Sequence, residues 1–128
     1  MKKMKKHILL IDDEQDIREV VALSLESVAG WQVTAAASGA EGLALAKTTQ
    51  PDAVLLDVMM PGQDGPATLR LLRNDQITCS IPVIFLTAKV QSIESERLRG
   101  SGAAGFLSKP FNPMTLADEV SQLLGWPS

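Results

Sequence analysis

Short runs of apolar residues alternate along the chain with longer stretches in which apolar residues recur every three or four positions. The short runs occupy residues 7–11, 31–36, 52–56, 82–86 and 105–108. Runs of this length, bounded by polar residues and prolines, are typical of buried parallel strands. The alternation predicts an α/β fold: a doubly wound (βα)5 domain with a five-stranded parallel sheet and helices on both faces.

The stretches between the first runs have the spacing of amphipathic helices. Residues 14–29 are expected to form the first helix, with an inward face of Ile17, Val20, Val21, Leu25 and Val28. Ser38 and Glu41 stand three positions apart at the start of the second helix. This spacing is the signature of a capping box.

The two predicted helices nearest the end of the chain differ in how many large apolar side chains anchor them. Residues 91–99 contain few large apolar side chains and predict a weakly anchored fourth helix. Asn112 is expected to cap the last helix and Pro113 to start it. The residues that this helix is expected to bury are Met114, Leu116, Val120, Leu123 and Leu124.

Five polar side chains lie at the ends of the predicted strands. They are Asp12, Asp13, Asp57, Thr87 and Lys109. Because the carboxyl ends of parallel strands lie along the edge where open α/β sheets bind ligands, we expect these side chains to converge. Surplus negative charge, a hydroxyl and a single cation suit a divalent metal ion and a phosphoryl group. Each residue alone is common at a strand end, and their coincidence favours a functional site.

Composition narrows the classes of protein that remain. The 128 residues carry a formal net charge of −3, which gives no reason to expect direct nucleic-acid binding. The length predicts a single domain over residues 1–128, with a basic leader at residues 1–6 and no output domain. Cys79 is the only cysteine, which favours a reducing, cytoplasmic compartment. No apolar run approaches the ~18 residues of a membrane span, so no membrane association is expected.

Four segments together resemble the receiver domain of two-component response regulators. They are Leu10-Ile11-Asp12-Asp13-Glu14, the run from Asp57 to Gly65, Leu86-Thr87-Ala88 and Lys109-Pro110-Phe111. The match covers essentially the whole chain in order and spacing. The resemblance implies a flavodoxin-like fold and a signalling switch controlled by phosphorylation. It also implies that the domain catalyses only its own phosphorylation and dephosphorylation and is not otherwise an enzyme.

The resemblance assigns roles to individual residues. Asp57 is the implied phosphoacceptor, and Lys109 and Thr87 are implied to contact the phosphoryl oxygens. The implied ligands of Mg²⁺ are Asp12, Asp13, Asp57 and the backbone carbonyl of Met59.

A conformational switch is also implied. Thr87 would move toward the phosphoryl group, and the ring of Phe106 would turn inward, which shifts the balance between two pre-existing states. The Lys109–Pro110 peptide bond is expected to be cis. Met59 and Lys89 lie where the family tunes the lifetime of the phosphoryl group. Since neither side chain can orient a water by accepting its hydrogen bond, we expect no fast self-dephosphorylation.

The implied partners are proteins. A sensor histidine kinase or a histidine phosphotransfer protein would donate the phosphoryl group. The surface of the predicted fourth helix, fifth strand and fifth helix would then bind a downstream protein, and the same face would allow a homodimer.

Two other functions fit parts of the pattern. One is a Mg²⁺-dependent phosphohydrolase that forms an aspartyl phosphate. Such enzymes usually have a second acid close after the nucleophile, whereas Asp57 is followed by Val58 and Met59. The other is an interaction module with a receiver fold and no phosphorylation. Such modules usually lack one of the acids or the lysine, all of which are present in this sequence.

Overall fold

The computed structural model describes residues 5–88, 100 and 102–127, and its centre is one sheet of five parallel strands. The strands are β1 (His7–Ile11), β2 (Gln32–Ala36), β3 (Ala53–Asp57), β4 (Val83–Thr87) and β5 (Gly105–Ser108). Their spatial order is β2-β1-β3-β4-β5. The order reverses between β1 and β3, so the crevice at their carboxyl ends is the switch point of a doubly wound sheet. The predicted architecture is confirmed.

Four helices within the described residues cover both faces of the sheet. They are α1 (Gln15–Ala29), α2 (Gly39–Thr49), α3 (Gly65–Arg73) and α4 (Leu116–Leu124). α1 packs beside α4, and α2 packs beside α3. The predicted fourth helix at residues 91–99 and the predicted role of Lys89 lie outside the described residues. None of the four helices is long and apolar enough to cross a membrane.

The sheet separates two hydrophobic cores. Successive side chains of a strand point to opposite faces, so β1 contributes to both. Ile8 and Leu10 pack in the core that contains residues of α1 and α4, whereas Leu9 and Ile11 pack in the core that contains residues of α2 and α3. All five residues of β1 are buried. This burial explains why β1 has a continuous apolar run instead of an alternating pattern.

The capping box predicted for α2 is present. The Ser38 hydroxyl accepts a hydrogen bond from the Glu41 N–H at 3.1 Å. The Glu41 carboxylate in turn accepts one from the Ala37 N–H at 2.8 Å. α3 begins in a similar way, because the Asp64 carboxylate accepts a hydrogen bond from the Ala67 N–H at 3.0 Å. These bonds satisfy N–H groups that have no partner within the helix.

The last helix differs from its prediction. A turn at residues 113–115 precedes α4, which begins at Leu116. The Asn112 side chain accepts a hydrogen bond from the Met114 N–H at 2.9 Å, so it stabilises this turn. Met114 is 69% exposed and Leu123 is 38% exposed. The expectation that both are buried was wrong, because Met114 precedes the helix and Leu123 lies at the border of its buried face.

The inward face of α1 is narrower than predicted. Val21 and Leu25 are fully buried, but Val20 and Val28 are 43% and 45% exposed. Because successive helical residues are separated by about 100°, Val20 points well away from the line that joins Val21 and Leu25. The prediction that Val20 is buried was therefore wrong. The prediction for Val28 was wrong as well, since Val28 is exposed in the last turn of α1 although it lies on the same side of the helix as Val21.

An aromatic pair closes the amino end of the sheet. Trp31 precedes β2 and Trp126 follows α4, and their ring centroids lie 5.5 Å apart in an edge-on arrangement. The Lys6 ammonium lies 4.5 Å from the centroid of the Trp126 ring. The carboxyl ends of the strands lie at the opposite end of the molecule.

Candidate functional site at the carboxyl edge of the sheet

The carboxyl ends of four strands bring the predicted site residues to one edge. Asp12 and Asp13 follow β1, and Asp57 is the last residue of β3. Thr87 is the last residue of β4, and Lys109 follows β5. Since β1 and β3 are neighbours in the centre of the sheet, their acidic residues face the switch-point crevice.

Three carboxylates form a compact cluster. One oxygen from each of Asp12, Asp13 and Asp57 lies within 4.8 Å of the others. Asp12 and Asp57 are buried, whereas Asp13 is exposed. Two inward carboxylates and one that faces solvent leave an opening through which an ion could enter.

Asp12 is held in place at the base of the cluster. Its Oδ1 accepts a hydrogen bond from the Glu14 N–H at 2.9 Å, and its backbone carbonyl accepts one from Arg18 Nη1 at 2.9 Å. Its Oδ2 is buried and lies 2.9 Å from Lys109 Nζ, but it has no well-aligned hydrogen bond within the described part of the chain. A buried carboxylate oxygen with unused acceptor capacity fits a hard cation that binds oxygen ligands.

Lys109 supplies the positive charge of the site. Its Nζ lies 2.9 Å from Asp12 Oδ2, 3.2 Å from Asp57 Oδ1 and 3.2 Å from Glu14 Oε1. The Lys109 N–H also donates a hydrogen bond to the Thr87 carbonyl at 2.9 Å. The peptide bond between Lys109 and Pro110 is cis. The ammonium is therefore fixed from two sides, by its side-chain ion pairs and by its backbone.

Burial and charge shift the ionisation of the two central groups. Burial, and then the charge of Asp12, raise the pKa of Asp57 to about 6, although Lys109 and the Met59 N–H act in the opposite direction. Burial alone would lower the pKa of Lys109, but Asp12, Asp57 and Glu14 together raise it above its ordinary value. Lys109 is therefore a permanent cation, and Asp57 is ionised at neutral pH.

The loop after Asp57 is held by backbone contacts. The Val58 N–H donates to the Leu86 carbonyl at 3.1 Å, and the Gly65 N–H donates to the Val58 carbonyl at 3.0 Å. A Cβ atom on Gly65 would lie 2.5 Å from the Asp57 carbonyl oxygen, so only glycine fits there. The Met59 side chain is 68% exposed, so the part of Met59 available to the pocket is its backbone.

Phe106 lies on β5, three residues before Lys109. Its half-buried ring lies 5.8 Å, centroid to centroid, from the ring of Phe85. Phe85 and Thr87 both belong to β4, two residues apart, and Phe106 is the register partner of Phe85. Thr87 and Phe106 are therefore linked through one pair of hydrogen-bonded strands.

Two residues of the site were missed by sequence reasoning. Glu14 contacts Lys109, and Arg18 holds the backbone of Asp12. Glu14 was visible only as a third acid after Asp12 and Asp13, and nothing in the sequence indicated that its side chain would turn toward a lysine 95 positions away.

The fold and the site together define a family. A family model described as the response regulator receiver domain matches residues 8–121. The chain belongs to this family and is a receiver domain of two-component signalling systems.

Known relatives include proteins of different lengths. The DNA-binding dual master transcriptional regulator RpaA of Synechocystis sp. is 41% identical over 117 residues, which are 91% of this chain and 48% of RpaA. Protein PilH of Pseudomonas aeruginosa is 37% identical over 117 residues, which are 91% of this chain and 96% of PilH. The chain thus spans about half the length of several curated relatives that it matches, and nearly all of PilH.

Solved structures agree with this assignment. The chemotaxis response regulator CheY4 of Vibrio cholerae superimposes with a TM-score of 0.86 at 32% identity, covering 94% of this chain and 99% of that chain. The receiver domain of a sensor histidine kinase from Pseudomonas aeruginosa PAO1 superimposes with a TM-score of 0.84 at 29% identity, covering 95% and 99%. That domain has a magnesium ion coordinated in its active-site cleft.

Proposed function

We propose that this receiver accepts a phosphoryl group on Asp57 from a phosphohistidine of a sensor kinase or phosphotransfer protein. The observation that carries the proposal is the position of Lys109, whose ammonium lies 3.2 Å from Asp57 and 2.9 Å from Asp12. A cation fixed beside a nucleophilic carboxylate is suited to neutralise an incoming phosphoryl group.

The proposed metal ion is Mg²⁺. Asp12, Asp13 and Asp57 would hold it together with the backbone carbonyl of Met59, a donor set of oxygens that suits a hard cation. Bound there, Mg²⁺ would neutralise negative charge on the transferred group. The unused acceptor capacity of the buried Asp12 Oδ2 supports this proposal.

The chain's own residues have distinct parts in the transfer. An oxygen of Asp57 forms a bond to phosphorus, and the bond from phosphorus to the donor's leaving atom breaks with its electron pair. Lys109 donates a hydrogen bond to one phosphoryl oxygen, and the Thr87 hydroxyl donates to another. Asp57 must be ionised to react, so protonation of this carboxylate at low pH would prevent transfer.

The proposed output is a change of surface. Movement of Thr87 toward the phosphoryl group frees space near Phe106, whose ring then turns inward. The altered face, which includes β5 and α4, would bind a downstream protein or a second copy of the chain. We place this activity in the cytoplasm, since the chain's one cysteine, Cys79, is exposed and free.

The lifetime of the phosphoryl group is a further part of the proposal. The Met59 side chain is exposed beside the site but has no strong acceptor with which to orient a water. The aspartyl phosphate is therefore expected to persist, and a half-life of seconds would contradict this.

The test is intact mass after incubation with acetyl phosphate and Mg²⁺. The wild type should gain one phosphoryl group, whereas Asp57→Asn, and the wild type in EDTA, should gain none. Asp16→Asn is the matched control, because Asp16 is an exposed aspartate in the first turn of α1. No gain in the wild type with either acetyl phosphate or a phosphorylated histidine kinase would leave an interaction module as the function. Multiple turnover of phosphate esters would instead indicate a phosphohydrolase.

A further inference from the structure

Lys109 makes one contact that phosphoryl transfer does not require. Its Nζ donates a hydrogen bond of 3.2 Å to Glu14 Oε1. Glu14 is the residue immediately before α1 and follows the acidic pair Asp12 and Asp13. It is not part of the described cluster of three carboxylates that could hold a metal ion. Glu14 therefore contacts the cation of the site and not the proposed metal pocket.

Three carboxylates surround the ammonium of Lys109. Its Nζ donates hydrogen bonds to Asp57 Oδ1 and Glu14 Oε1, each at 3.2 Å, and lies 2.9 Å from Asp12 Oδ2 without a well-aligned hydrogen bond. An ammonium group has only three N–H donors, so a phosphoryl oxygen that approaches it competes with these carboxylates.

The burial of each carboxylate determines which one gives up its contact with Lys109. The Asp12 side chain is fully buried and that of Asp57 is 6% exposed, so both lose much free energy when left without a partner. The Glu14 side chain is 59% exposed, and water can replace its partner at little cost. The exchange of partners at Lys109 therefore falls on Glu14.

We propose that Glu14 is a positioning residue that holds one N–H donor of Lys109 until a phosphoryl group displaces it, and thereby slows phosphorylation of Asp57. This inference rests on the proposed function of Asp57. With acetyl phosphate, Asp57 bonds to phosphorus, acetate leaves with the electron pair of the broken P–O bond, and no proton is transferred. Lys109 exchanges Glu14 for a phosphoryl oxygen. Glu14 is then free of the site, so it takes no part in hydrolysis.

The substitution Glu14→Gln tests this inference, since it keeps the shape of the side chain and removes its charge. The rate of phosphorylation by acetyl phosphate at saturating Mg²⁺ should rise by about three- to fivefold, because a charged hydrogen bond is replaced by a weaker neutral one. After removal of acetyl phosphate, the rate of hydrolysis should stay within about twofold of the wild type. A merely structural role of Glu14 would not separate these two rates.

Two controls distinguish the loss of the contact between Glu14 and Lys109 from the loss of one negative charge. Glu19 is an exposed glutamate on α1 that accepts a hydrogen bond from Gln15 at 3.0 Å. Glu19→Gln removes the same charge and should leave the phosphorylation rate unchanged. In a Lys109→Ala background, Glu14→Gln should give no gain.

The outcomes are distinct. An unchanged rate in Glu14→Gln, an equal gain in Glu19→Gln, or a gain that persists without Lys109 would each overturn the inference while leaving the proposed function intact. A wild type that takes no phosphoryl group from acetyl phosphate or a kinase would overturn the proposed function and the inference together.

Discussion

The ionised form of Asp57, which the proposed chemistry requires, is also the form that destabilises the fold. A nucleophilic carboxylate must carry its charge, yet burial and the charge of Asp12 raise the pKa of Asp57 from 3.8 to about 6. Lys109 offsets only part of this rise. The folded protein therefore binds the Asp57 proton more tightly than the unfolded chain does, and ionised Asp57 destabilises the folded state.

The sign of this effect predicts how Asp57→Asn depends on pH. Below about pH 4 the carboxyl is protonated in both states, and no penalty exists. As the pH rises from about 4 to 6, the unfolded state releases its proton first, so stability falls, and above about 6 the full penalty is present. In EDTA, Asp57→Asn should be more stable than the wild type by about 1–3 kcal/mol at pH 7.5.

Urea unfolding at pH 7.5 and pH 4.5 measures this difference. The advantage of Asp57→Asn should shrink at pH 4.5, and Asp16→Asn should show no comparable change between the two values. An advantage that is the same at both pH values would show that the charge of Asp57 is not its cause.

The sequence was a good guide to some site residues and a poor one to others. Asp12, Asp13, Asp57 and Lys109 could be brought together because backbone topology alone places strand ends at one edge. Glu14 could not, since its contact depends on how two long side chains turn, and no pattern of apolar residues records that choice.

At the scale of elements, the connection from β3 to α3 requires a glycine, because there is no space for a side chain. α3 starts at Gly65 directly against β3, and a Cβ there would lie 2.5 Å from the Asp57 carbonyl oxygen and 2.8 Å from Val58 Cα. Both are backbone atoms and cannot rotate away. Gly65→Ala is therefore expected to destabilise the fold by about 1–3 kcal/mol, although alanine favours helices.

Gly100→Ala is the matched control for this prediction, because a Cβ on Gly100 has no atom within 4 Å among the described residues. Urea unfolding of both variants should separate them, and phosphorylation of Gly65→Ala by acetyl phosphate should be slower as well. Equal stability of the two variants would mean that the loop shifts to accommodate the methyl group of Gly65→Ala without loss of stability.

The helices show which features the pattern of apolar residues cannot predict. Apolar spacing located α1 and the last helix, but it could not distinguish a buried position from one at the border, as Val20 and Val28 on α1 illustrate at 43% and 45% exposed. The start of α4 was misplaced because the Asn112 side chain can cap a turn or a helix with the same hydrogen bond. The strands β1, β3 and β4 were easier to predict, since burial on both faces leaves few alternatives.

At the scale of the whole molecule, the acidic pocket couples fold stability to ion concentration. Asp12, Asp13 and Asp57 repel one another within 4.8 Å, and Lys109 opposes this repulsion from inside the pocket. A cation that binds the folded state alone stabilises it, by about 1.4 kcal/mol at ten times its dissociation constant. Mg²⁺ should therefore raise the midpoint of thermal unfolding by several degrees.

Thermal unfolding with MgCl₂, compared with NaCl of equal ionic strength, measures this rise. The rise should be lost in Asp13→Asn, which changes an exposed member of the cluster and leaves its buried members in place. A similar rise with NaCl would mean that general screening of charge, and not a bound ion, is responsible.

The tryptophan pair at the amino end of the sheet has a spectroscopic consequence. The chain has no tyrosine, so Trp31 and Trp126 provide its fluorescence above 290 nm. The two rings lie 5.5 Å apart, at the far end of five-residue strands from Asp57, a distance of about 16 Å along each strand. Their emission is therefore expected to report on the integrity of the fold at the amino end of the sheet. Fluorescence would follow unfolding through groups that take no direct part in the chemistry at Asp57.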